Sequence, residues 1–511
     1  MMFSHFSPLV GIALSFVIFA RPATCAVAPR IPSAVRGGVG GVQVRQNQND
    51  PVSASVDTSD NESYITKIVL GGLELTVVLD TGSSDLVVNL GGRQPNLSGE
   101  STIQATDTYG SGSPATGNLL TADLQIGGVT ISSQTFLNAS SVPTSFDGIM
   151  GMSFAGDISG IEAAITKFES QFPGQNVALD ANPPMLNLLA QQPNLPDNFD
   201  VQLARSDGFS VASGTFLIGE HDQNVQQALA NAPQLPVLND LHWDVVMDAM
   251  LINGQPFAFD PSGVQGVPSG KLVASLDTGA SFALMPAAAV NAIYSNIPGA
   301  AFDQKSNGWL VPCDATASVS FVFGGQEYPV HPLDLSLPSG TQVTDANGQK
   351  ATVCLAGIAP LTLDPNVFQG FDVILGDTFL RNVYASFNYG TRNGNNFNAP
   401  FVQMVSTTPD LNQANQEFQT QRAAQLAKLP PTIDPSAAVQ GGSDQAPATS
   451  APSGSPTTQT QSGTEAKPTG STQGTTTAAP SAKPSNGSAK SGSWSGCGVM
   501  AVALALALVV L

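Results

Sequence analysis

Between Tyr64 and Val405 the apolar residues come in short runs bounded by Gly, Asn, Asp and Pro, which predicts strands joined by turns. Tyr64 to Leu70 and Leu73 to Leu79 bracket Gly71-Gly72. Asn118 to Ile126 and Val129 to Phe136 bracket Gly127-Gly128. Each pair predicts a β-hairpin. Further strands are predicted at Phe146 to Gly151, Val201 to Leu203, Gly214 to Gly219, His242 to Val245 and Arg381 to Phe387. Leu251 to Gln255 reads as a strand running into a turn. Only two stretches favour helix: the short Pro184 to Leu189, and Leu411 to Leu429, rich in Gln and Ala. The expected fold class is mainly all-β.

Two of the apolar runs end on a carboxylate. Leu75 to Leu79 drives into Asp80-Thr81-Gly82-Ser83, and Leu272 to Leu276 into Asp277-Thr278-Gly279-Ala280. A buried carboxylate is costly unless it is hydrogen-bonded. Thr offers a hydroxyl, Gly lets backbone N–H groups approach, and Ser83 can donate to the carboxylate. One such triplet reads as an ordinary turn after a strand. A second pair of segments makes duplication the better reading. Phe146-Asp147-Gly148-Ile149-Met150-Gly151 ends 71 residues beyond Asp80, and Phe371-Asp372-Val373-Ile374-Leu375-Gly376 ends 99 beyond Asp277. Two related halves that each supply one carboxylate would place Asp80 and Asp277 face to face at a domain interface, where clefts form.

On these residues, from about 62 to about 405, the chain resembles the pepsin-like aspartic proteases. The resemblance implies a bilobal acid protease fold with the active-site cleft between two related β lobes, an N-lobe of residues 61–235 and a C-lobe of residues 236–405. It implies Asp80 and Asp277 as catalytic residues, supported by Thr81, Gly82, Ser83, Thr278 and Gly279. Tyr109-Gly110-Ser111-Gly112 matches the family's substrate-binding flap, and Cys313 and Cys354 match a family disulfide. Two such carboxylates share one proton and titrate as a unit, a pattern for which this family is the standing example. The partners implied are polypeptide substrates. No cofactor and no metal are expected, and a monomer is.

Three departures stand out. Val87 lies where the family has a Trp that supports the flap tyrosine. Ala280 lies where Ser or Thr is common; a missing donor favours the neutral form of Asp277, and Ala280→Thr is expected to lower the pH optimum. Tyr109 follows Asp80 by only 29 residues, with no cysteine pair between, so a loop beside the cleft is expected to be missing.

The flanks read differently. Residues 1–26 resemble a secretory signal peptide. Residues 27–60 are read as a pro-segment or leader, whose Arg30, Arg36 and Arg45 could pair with the catalytic carboxylates at neutral pH. Residues 406–490 are read as a Ser/Thr/Pro-rich stalk, helical at its start and too poor in large apolar residues beyond about residue 430 to bury a core. Residues 491–511 match a glycosylphosphatidylinositol signal tail, with Asn486 as attachment site. Asn61, Asn96 and Asn138 lie in N-glycosylation sequons. The net charge is −20 with 11% charged residues, which argues against a nucleic-acid partner. His221, His242 and His331 share no metal-ligand spacing, and Trp243 is read as core. Together these features predict an aspartic endopeptidase acting at acidic pH and displayed at the cell surface through a lipid anchor, similar to the yapsin-like enzymes of fungal surfaces. The alternative is an inactive pepsin-like binding protein on a cell-wall stalk.

Overall fold

The computed structural model describes residues 52–441 except 59, 111, 157–158, 176, 178, 240, 339–342, 346, 362–369 and 394–395. The readings for residues 1–26, the Arg30, Arg36 and Arg45 pairing, most of the stalk, the tail and Asn486 lie outside the described residues.

Strands dominate, and the two motifs lie in matching settings. In the first half Leu73–Asp80 runs parallel to Gly148–Gly151, with Asp80 opposite Gly151. Gly148–Gly151 then pairs antiparallel with Leu86–Val88. In the second half Leu272–Leu276 runs parallel to Val373–Leu375, which pairs antiparallel with Ala283–Met285. In each half the chain leaves the strand that carries the Asp-Thr-Gly motif, turns, and returns through the same small sheet. Gly148–Gly151, Leu272–Leu276 and Val373–Leu375 are buried on both faces, so apart from Ser275 they carry no polar side chain and do not alternate.

The double-glycine hairpins form as the pattern predicts. Leu70 pairs with Leu73 across Gly71-Gly72, whose φ values of 54° and 87° suit glycine. The lobes are joined by a shared sheet in which Asn198–Gln202 pairs with Val383–Asn388. Beneath it Trp243 is fully buried, its ring 4.6 Å from Phe154, 5.0 Å from Tyr389, 5.1 Å from Phe387 and 5.6 Å from Phe199. Trp243 Nε1 and the Tyr389 hydroxyl both donate to the Met152 carbonyl, and the Met152 N–H donates to the Asp80 carbonyl. An aromatic cluster drawn from both lobes therefore holds the turn beside the first motif.

At both ends the packed chain runs beyond the expected bounds of 61 and 405. Val52–Thr58 lies inside the region read as leader, yet it pairs along its whole length with Ala212–Ile218 and buries Val56. Its apolar–polar alternation is the reason. At the other end, Leu411–Leu426 is a helix, capped by Asp410, but it is packed on the C-lobe rather than starting a stalk. Phe418 is fully buried, and buried Arg422 donates to the Ser336 carbonyl at 2.7 Å. The Thr352 and Ile433 N–H groups donate to the Pro431 and Thr352 carbonyls, so the packed chain runs past residue 430. Cys313 and Cys354 form a disulfide spanning 41 residues. A closure of that length stabilises by about 4 kcal/mol in the chain-entropy account.

Candidate active site

The two Asp-Thr-Gly triplets meet and interlock. The Thr81 hydroxyl donates to the Leu276 carbonyl, and the Thr278 hydroxyl to the Leu79 carbonyl, each at 2.7 Å. Each threonine oxygen also accepts from the other threonine's N–H, at 2.9 and 3.1 Å. This reciprocal grip links positions 197 residues apart in the chain and fixes the strand ends against each other.

The grip leaves Asp80 and Asp277 face to face, both without exposed surface. Gly82 N–H donates to Asp80 Oδ1 at 2.9 Å, and Gly279 N–H to Asp277 Oδ1 at 2.8 Å. A Cβ on Gly82 would lie 2.6 Å from the Asp277 carboxyl, so only glycine lets the two motifs close this far. The symmetry ends at the second oxygens. The Ser83 hydroxyl donates to Asp80 Oδ2. Ala280 offers no donor, and Asp277 Oδ2 has no hydrogen-bond partner.

The carboxyls differ accordingly. Burial raises Asp80 to about 6, moderated by the Ser83 and Gly82 hydrogen bonds. Burial and then the charge of Asp80 hold Asp277 well above the usual carboxylate range. The surroundings thus favour the protonated form of Asp277 more than that of Asp80.

Tyr109 sits at the turn between Leu97–Thr108 and Pro114–Ile126 and is buried. Gly112 has φ +74° and its N–H donates to the Tyr109 carbonyl, closing the tip with Gly110; Ser111 lies outside the described residues. The Tyr109 hydroxyl has no hydrogen-bond partner. Val87 packs in the same apolar cluster as Tyr109 and cannot supply one.

Of the sequon residues, Asn96 is exposed and Asn138 is half-buried, its Oδ1 accepting from the Leu90 N–H. Asn61 needs correction. Its side chain is 7% exposed, donates to the Ser206 carbonyl at 2.8 Å and accepts from the Ser206 N–H at 2.6 Å. A glycan on that nitrogen would displace the Ser206 segment, so Asn61 is a structural residue.

Sequence reasoning missed three buried acids near the site: Asp85, Asp107 and Asp377. Asp377 follows the second Ile-Leu-Gly, and its N–H donates to the Ala280 carbonyl at 2.7 Å. A carboxylate at the end of an apolar run was the available signal. Among the described residues no cluster of His, Cys, Asp and Glu could hold a metal ion, and no helix is long and apolar enough to cross a membrane.

Two mirrored lobes, each presenting one carboxylate from the same strand-turn motif, define a two-lobed aspartic peptidase. Residues 63–395 match the family described as eukaryotic aspartyl protease. The chain belongs to that family. It is 26% identical over 365 residues to major aspartyl peptidase 1 of Cryptococcus neoformans, covering 65% of this chain and 68% of that protein. It is 27% identical over 354 residues to gastricsin of Mus musculus, 64% of this chain and 79% of the relative. It is 27% identical over 373 residues to pepsin A of Sus scrofa, 66% and 81% respectively. The family acts on polypeptide substrates.

Proposed function

We propose that this chain is an endopeptidase working in acid, with Asp80 and Asp277 activating a water against the scissile carbonyl of a polypeptide. The reading is carried by the unequal hydrogen bonding of two carboxyls held face to face by the threonine grip. Ionised Asp80 takes a proton from the water, whose oxygen bonds to the carbonyl carbon. Protonated Asp277 gives its proton to the carbonyl oxygen. The resulting diol collapses as Asp80 returns its proton to the amide nitrogen. The C–N bond breaks, and Asp277 recovers a proton from a diol hydroxyl. The pair ends as it began, with one proton.

This cycle needs one proton on the pair, so activity falls as pH rises through the range where Asp80 and Asp277 both ionise. Digestion of a denatured protein from about pH 3 to about pH 7, with and without pepstatin, tests the reading. Pepstatin-sensitive cleavage in acid supports it. Folded protein free of residues 1–51 that cleaves at no pH would sink it and leave the binding-protein alternative.

The missing donor at Ala280 makes a separate prediction. In Ala280→Thr or the smaller Ala280→Ser, a hydroxyl can reach Asp277 Oδ2 as Ser83 reaches Asp80. That bond favours the ionised form, so the basic limb of kcat/KM, set by loss of the shared proton, moves down by about one pH unit. An unmoved limb in both variants rejects this.

Surface display belongs to the same proposal. It rests on the signal-like residues 1–26 and the tail at 491–511. Loss of surface retention on replacing Asn486, with activity appearing in the medium, is the expected result.

A further inference from the structure

The flap strand Leu97–Thr108 alternates exposed and buried positions towards its end. Ile103 and Ala105 fill the buried ones, and the next, two residues before Tyr109, is Asp107. An acid at an inward position calls for a partner. The partner is a second buried acid, Asp85, in the turn just beyond Asp80. The two carboxyls lie within hydrogen-bond reach of each other.

Both are tied to the start of the helix Gly160–Gln171. The Gly160 N–H donates to Asp107 Oδ1 and the Ile161 N–H to Asp85 Oδ2, each at 2.9 Å. The Ser159 hydroxyl donates to Asp85 Oδ1 at 2.7 Å and the Ser84 hydroxyl to the same oxygen at 3.2 Å. A Cβ on Gly160 would lie 2.1 Å from Asp107 Oδ1, so the helix start is pressed against the flap strand. The titratable groups facing the pair are Asp80 from the catalytic turn, the Tyr109 hydroxyl from the flap and Glu162 from the helix. The Glu162 carboxylate is engaged by the Gly156 N–H. Among the described residues neither acid forms an ion pair with Lys, Arg or His. Two buried carboxylates without a cation cannot both ionise cheaply, so they hold one proton between them. Burial, and then the Asp85 charge, push Asp107 well above the ordinary carboxylate range.

We propose that Asp107 is a positioning residue: with Asp85 it forms a second proton-sharing carboxyl pair that fastens the flap strand to the helix and seats Tyr109 over the catalytic aspartates. The role assigned to the flap rests on the peptidase reading; the pair itself does not. Opening the flap separates the acids into water and releases their proton once the pH exceeds the ordinary carboxylate range. The opening equilibrium therefore rises about tenfold per pH unit from about pH 4 until the closed pair itself ionises.

Amide hydrogen exchange of the full chain, corrected for intrinsic rates, reads this directly on a peptide spanning residues 105–117. The background is Asp80→Asn, which prevents self-cleavage and removes most of the catalytic pair's own titration. Asp107→Asn keeps an acceptor for the Gly160 N–H and an amide donor for Asp85, but needs no proton. The expected result is a pH slope of flap protection smaller by about one proton in Asp107→Asn than in the parent. Asp85→Asn should lose the same slope by reciprocity, and it carries the test alone if Asp107→Asn does not fold. An unchanged slope in the variants that fold overturns the proposal. In the active chain the rise of KM with pH should flatten in Asp107→Asn more than kcat changes, whereas a merely structural role would lower both at every pH. A wild-type chain that cleaves nothing would sink the peptidase reading and leave the exchange slope to judge the pair.

Discussion

Asp80→Asn, Asp277→Asn and the double variant are each expected to lower kcat/KM on a denatured protein by roughly three orders of magnitude or more, and by similar amounts. The similarity follows from the geometry. The carboxyls hold one proton between them, so removing either removes the acid–base pair rather than half of it. An amide at position 80 cannot take a proton from water. An amide at position 277 cannot pass one to the carbonyl oxygen and recover it. Folding should survive, because Asn offers the same oxygen to the Gly82 or Gly279 N–H, and the threonine grip involves neither carboxylate. The check is single-turnover cleavage alongside circular dichroism. Double-variant loss close to the product of the single losses would mean that the two carboxyls act independently, and the shared-proton cycle would be wrong.

The paired motifs of the candidate site were legible because their signal is local and repeated. A strand that ends on Asp-Thr-Gly is weak evidence once and strong evidence twice. The double-glycine hairpins were legible for a similar reason, since turn and strand signals are adjacent in sequence. What escaped depends on distant partners. Val52–Thr58 is built of small residues and looks like leader until Ala212–Ile218 lies beside it. The helix Gly160–Gln171 went unmarked, although Ser159 caps it and Ile161 and Ile165 sit one turn apart on its buried side. The Leu411–Leu426 helix was visible, but its docking was not. Polar composition hid the buried face made by Ala414, Phe418 and Arg422. Buried acids are the hardest to read. Nothing near Asp107 in the chain says that Asp85 and a helix start will enclose it.

Those acids set the second large effect, a loss of folding stability as pH rises from about 4 to about 7. Burial raises Asp80 to about 6 and Asp244 to about 7, and raises Asp85, Asp107, Asp277 and Asp377 as well. An acid whose folded pKa is raised keeps its proton when folded and loses it near pH 4 when unfolded. Its stabilising contribution is complete below pH 4 and drains away as pH climbs to the folded value. Buried His242, lowered to about 4, and His331, also lowered, work in the opposite sense between their folded values and about pH 6.5. Six acids outweigh two histidines, so the net slope is downward. Asp244 lies outside the catalytic pair, with buried His242 Nδ1 3.9 Å from its Oδ2. It is fully buried, its Oδ2 accepts from Asn239 Nδ2 at 2.7 Å, and its Oδ1 has no partner. Raising one carboxyl this far weakens folding at pH 7, relative to pH 4, by on the order of 4 kcal/mol. Asp244→Asn keeps the Asn239 contact with no proton to lose. Its thermal midpoint should fall less steeply over that range than that of the wild type, the two curves converging in acid. Parallel curves would show that Asp244 ionises in the folded chain as readily as in water, and the neutral-pH instability would have to be assigned to the two carboxyl pairs and Asp377 instead.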